Sequence, residues 1–141
     1  MAGGSDWHDS DERNLDERRE PVLKVIGRCV AGWLIGCLLP LLSTLLFFQV
    51  VHSAPGLPAS TGLIWGMAIS GVFFAAAGSI LGASFYRPQA LGIGAAIAAT
   101  IAALSMWIWY VTPNAAHWLE AVAILLMAPA AQFAALARRA D

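Results

Sequence analysis

The sequence predicts an all-α integral membrane protein, with four transmembrane helices in an antiparallel up-down bundle. Three observations carry that prediction. Hydrophobic residues make up 59% of the chain and charged residues 12%, against about a quarter charged in soluble domains, so most of this surface calls for lipid as its solvent. Between Arg28 and Arg138 the only formally charged side chains are Arg87 and Glu120. The apolar part divides into four stretches, each long enough to cross a hydrocarbon core of ~30 Å at about 20 helical residues.

The elements follow in order. Residues 1–21 form a polar head, net acidic, with too few aliphatic residues to bury a face; the composition predicts a disordered cytoplasmic tail. Its length and charge, and the long apolar run behind it, argue for an uncleaved anchor over a signal peptide. One transmembrane domain then occupies residues 22–137, with spans at about 22–51, 60–85, 90–111 and 114–137, and residues 138–141 form a short cytoplasmic tail. The gaps "HSAPGLPA", "YRPQ" and "TPN" hold four of the seven prolines, and proline punctuates helices by lacking an N–H and fixing φ. The fourth span has two possible starts: Thr112 as N-cap with Pro113 at the first helical position, or Asn114 one turn later.

Orientation follows from the basic residues, which gather on the cytoplasmic side of membrane proteins. Arg13, Arg18, Arg19, Lys24 and Arg28 precede span one, Arg87 lies between spans two and three, and Arg138 and Arg139 follow span four. A four-span topology puts all eight on one side, with both termini in the cytoplasm. Trp65, Trp107, Trp109, Tyr110 and Trp118 gather at the opposite ends, as an interfacial aromatic belt does. The Ala/Gly-rich spans and short loops suit a bacterial inner membrane.

Helices in a bilayer associate by close packing, because lipid chains are as apolar as leucine, and small residues let backbones approach. In span two Ala68, Gly71, Ala75, Gly78 and Gly82 recur at heptad spacing, and in span three Gly92, Ala96, Ala99, Ala103 and Met106 do the same. Folding the chain about "YRPQ" sets Gly82 opposite Gly92, Gly78 opposite Ala96, Ala75 opposite Ala99 and Gly71 opposite Ala103. Spans two and three are therefore expected to form a tight small-residue hairpin, with a left-handed crossing of about 20°. Ile93, Ile97, Ile101, Leu104 and Ile108, on the other side of span three, are expected to face lipid or another subunit. Pro40 and Pro129 predict kinks in spans one and four, with Ser43 and Thr44 near enough to satisfy carbonyls that Pro40 leaves free.

The chemical inventory is thin. Cys29 and Cys37 are spaced as neither a redox pair nor a metal pair, and no disulfide is expected. The histidines are not ligand-spaced, and neither a nucleophile elbow, a phosphate-cradling loop nor a basic nucleic-acid patch occurs. The expectation is a protein with no catalytic residues, no metal and no cofactor. Its partners are the lipid bilayer and other membrane helices, its own or another protein's, and not nucleic acid.

Glu120, with His117 one turn ahead of it, is the feature that composition leaves over. A carboxylate near the start of a span meets the positive end of the helix dipole and reaches the headgroups, which describes an interfacial anchor. An ionisable group in a span is also a candidate functional site. In an antiparallel bundle Gln49, His52, Ser105 and Trp65 lie at similar depth, and their convergence would form a polar pocket for a proton or small cation. Four short helices enclose little volume, so a transporter or channel built this way would be an oligomer. The leading expectation is an accessory, structural or regulatory helix-packing component of a membrane complex.

Overall fold

The structure, a computed structural model, describes residues 22–52 and 58–140. The polar head 1–21, the centre of the first loop and Asp141 lie outside the described residues, and with them the expectation of a disordered tail. Among the described residues every element is helical. Helix α1 is Val22–Val51, α2 is Thr61–Ser84, a 3₁₀ turn at Arg87–Gln89 leads into α3, Ala90–Val111, and the fourth span is built from α4, Trp118–Val122, a π-helical turn at Ala123–Met127, and α5, Ala128–Ala140. Four helices are long and apolar enough to cross a membrane. The residues expected as a C-terminal tail continue α5 as far as Ala140.

Sequence signals fix most of these ends. Ser60 caps α2, its hydroxyl accepting from the Leu63 N–H at 3.3 Å. Pro88, the second residue of the 3₁₀ turn, lacks an N–H that would be unsatisfied there anyway. Helix α1 runs through Pro40 without interruption, and the Thr44 hydroxyl donates to the Pro40 carbonyl at 2.8 Å. Ser43, the other residue expected to help, is buried with its Oγ unpartnered. At Pro129 the distortion lies in the turn before it. The proline cannot donate to the Leu125 carbonyl and its ring crowds that carbonyl, and the preceding turn is π-helical, with the Ala128 N–H donating to Ala123.

The most extensive helix contact is between α1 and α2, a different pair from the expected hairpin, and the contact between α2 and α3 is smaller. Gly32 meets the backbone of Gly82, and a Cβ on Gly78 would stand 2.6 Å from the Gly36 carbonyl oxygen. Pro40 leaves that same carbonyl without its helical donor. Two glycine pairs at four-residue spacing thus replace side chains with backbone contact along this seam. Lower on α2, Gly71 receives the Met127 side chain from the π turn. The small face of span two thus meets span one at Gly78 and Gly82 and span four at Gly71.

The first part of span three is turned the opposite way from the expectation. Gly92, Ala96, Ala99 and Ala103 are exposed, whereas Ile93 and Ile97 are buried and Ile101 half-buried; Leu104 and Ile108, farther along the ridge, are exposed as expected. The physical reason is shape. Glycine pairs that join α1 and α2 leave a groove over the seam, and the Ile97 Cδ1 fills it, touching the space at both Gly36 and Gly82. A large side chain fits a glycine groove better than a second small face does. The small residues that span three does bury are Ala90, Gly94 and Ser105, and Gly94 is set against Ala135 of α5. Interhelical hydrogen bonds tie the frame: Trp33 Nε1 to Thr100 Oγ1 at 2.9 Å joins α1 to α3, and Ser79 Oγ to the Ala131 carbonyl at 2.6 Å joins α2 to α5.

Candidate functional site around Glu120

The chain between α3 and α4 sets the carboxylate in place. Thr112 closes α3, its hydroxyl donating to the Ile108 carbonyl at 2.6 Å, and the Ala115 N–H donates to the Thr112 carbonyl at 3.0 Å to make a tight turn. Neither Thr112 nor Asn114 caps the fourth span; the helix starts at Trp118, with His117 at the N-cap position. Glu120 is therefore its third residue, about 3 Å along the axis from the start. The Trp109 ring stacks on the His117 ring, with centroids 4.8 Å apart and planes within 9° of parallel. Trp118 packs against Phe48 of α1 at 6.0 Å.

These contacts leave Glu120 buried, at 7% exposure. Its Oε2 stands 3.8 Å from His117 Nδ1, close enough for charge attraction and beyond hydrogen-bonding distance. Oε2 and both His117 ring nitrogens have no hydrogen-bond partner. Burying an acceptor without a donor carries a cost, and for a carboxylate the cost is higher. The positive end of the helix dipole offsets part of it.

Glu120 and Ser105 line one cavity of about 380 Å³, bounded by α1, α3 and the start of the fourth span. Thr44 and Thr100 stand in the same walls, but their hydroxyls already donate, to the carbonyls of Pro40 and of Ala96. The remaining lining is aliphatic, chiefly Leu34, Leu38, Leu41, Ile101 and Leu104. Both ends of the π turn, Ala123 and Met127, contribute to it.

Of the residues expected to converge here, Ser105 and His117 adjoin Glu120, and Gln49 and His52 do not. Gln49 is exposed, as is His52, which ends α1 at φ 52° with its Nδ1 3.0 Å from the Val50 carbonyl oxygen. Trp65 is exposed as well. Each helical residue turns about 100°, so the inward place near the end of α1 goes to Phe48 and its neighbour Gln49 points elsewhere. The π turn escaped the sequence reading, though Pro129 four residues after Leu125 was its signal. Among the described residues no three His, Cys, Asp or Glu side chains group to hold a metal, and Cys29 and Cys37 are free. Compared with protein-family models, curated proteins and solved structures, the chain matches none.

Proposed function

We propose that this chain is a four-span, non-catalytic protein of a bacterial inner membrane, an antiparallel bundle with both termini in the cytoplasm, that acts as a helix-packing component of a membrane complex. The observation that carries the reading is the poverty of the core. Among the described residues the buried polar side chains are Ser43, Ser79, Ser105 and Glu120. A hydrogen-bonded relay needs a polar group or a water about every 3 Å, and so few groups do not make one across ~30 Å. Between α1 and α2 the glycine seam is closed by backbone contact and by Ile97. The orientation is supported by the pairing of Gly32 with Gly82 and of Gly94 with Ala135, which gathers Lys24, Arg28, Arg87, Arg138 and Arg139 at one end of the bundle. The small stripe Gly92, Ala96, Ala99 and Ala103, unused inside the bundle, offers a further helix a close approach.

A second reading has its own observation. Buried Glu120, with an unpartnered oxygen beside His117, favours an oligomeric transporter or channel for a proton or small cation. Flux separates the two. Liposomes holding the purified protein, with a pH-sensitive dye inside and an imposed potential, are expected to acidify no faster than empty liposomes. Acidification at least tenfold faster, abolished by Glu120→Gln, would establish transport. Oligomeric state gives an independent check: a stable homodimer favours transport, and association with an unrelated membrane protein favours the packing role.

A further inference from the structure

The cavity beside Glu120 has a shape and a charge that the packing role leaves unused. Along α1 it extends from Leu34 to Thr44, about 15 Å at 1.5 Å per residue, which is half of a ~30 Å hydrocarbon core. Its walls are mainly aliphatic, with Cys37, Thr44, Thr100 and Ser105 among them, from the middle of the bundle up to the level of the carboxylate. At its upper end the Glu120 carboxylate is more than nine-tenths buried with Oε2 unpartnered, while the threonine hydroxyls in the walls are already engaged. No lysine or arginine lies in 88–137 or 29–86, so at this end of the bundle only the His117 ring, 3.8 Å away and not hydrogen-bonded, and the helix dipole face the carboxylate.

We propose that this groove binds one phospholipid carrying an ammonium headgroup, with the amine against the Glu120 carboxylate and one acyl chain lying between α1 and α3. An ammonium supplies up to three donors to an acceptor that has none, and in a site shielded from water such a charge-assisted bond is at its strongest. Glu120 is the third residue of its helix, at the start of the fourth span, so a chain running down the groove from it reaches towards the middle of the bundle. The volume of about 380 Å³ lies within the range of small-ligand sites. The π turn, a feature that recurs at functional sites, forms part of the wall through Ala123 and Met127. The site stands whether or not the protein also joins an assembly.

Native mass spectrometry of the purified full chain, titrated with defined lipids, tests this. The wild type is expected to retain one phosphatidylethanolamine per chain and to bind phosphatidylglycerol at least tenfold more weakly. Glu120→Gln is expected to weaken phosphatidylethanolamine at least tenfold. Leu104→Trp, which fills the groove from an exposed position and keeps the carboxylate, is expected to do the same. Helical signal and thermal unfolding identify folded variants, and if Glu120→Gln does not fold, Leu104→Trp decides the matter alone. Equal binding of the two lipids, or wild-type retention by either folded variant, overturns the proposal. Dodecyltrimethylammonium bound more tightly than phosphatidylethanolamine overturns it too, assigning the groove to a free cationic amphiphile.

Discussion

Gly82→Val is expected to cost about 3 kcal/mol, the upper part of the usual range for overpacking. A Cβ at Gly82 runs into the Gly32 carbonyl, which is backbone and cannot turn aside. Helix α1 must move away, and the paired contact at Gly36 and Gly78 opens with it. The control is Gly92→Val, in the face that sequence reasoning assigned to the packing seam. Gly92 is exposed, and the nearest atom its Cβ would meet is the flexible Gln89 Oε1 at 3.5 Å. That variant is expected to stay within about 0.5 kcal/mol of wild type. Unfolding by denaturant in mixed micelles, followed by helical signal, reads both. A larger loss for Gly92→Val than for Gly82→Val would restore the expected hairpin and remove the seam described here.

Ile97→Ala is the second large effect, at about 2 kcal/mol. In a soluble protein, truncating a buried isoleucine loses a transfer term and a cavity term, roughly 2–5 kcal/mol together. In lipid the transfer term shrinks, since the side chain leaves one apolar medium for another, and the lost packing dominates. Ile97 is fully buried over the groove between Gly36 and Gly82, where no neighbour on the glycine side can collapse into the space. Leu125→Ala, at a position 70% exposed, is expected to cost less than about 0.5 kcal/mol in the same assay. Equal losses at the two positions would mean that Ile97 does not plug the seam.

Most of the fold was legible because it depends on quantities a sequence carries directly. Apolar length gave the four helices, and proline placed the breaks. The face of span three was not legible from small residues alone. The heptad rule finds positions where backbones can approach, but it does not say whether the partner surface is another small face or a bulky knob. Gly32 and Gly36 were visible four residues apart on α1, and matching them to Gly78 and Gly82 would have found the seam. Ile97 then follows as the residue that fills it. At the site, Glu120 with His117 was readable as a charge at the mouth of an apolar run. The exclusion of Gln49 and His52 was not, because similar depth says nothing about azimuth, and one residue of phase puts Phe48 inside and Gln49 outside. The start of the fourth span also resisted reading, since the Thr112 hydroxyl has two uses and it closes the preceding helix.

Everything proposed rests on four crossings with the basic end in the cytoplasm, and site-directed labelling of single cysteines in intact cells addresses it most directly. In a background with Cys29 and Cys37 replaced, His52→Cys and Asn114→Cys are expected to react with a membrane-impermeant maleimide from outside. Arg87→Cys and Arg139→Cys are expected to react only after lysis. Labelling of Arg87→Cys in intact cells, or protection of Asn114→Cys from outside, would contradict the topology and with it the placing of Glu120 at the outer face.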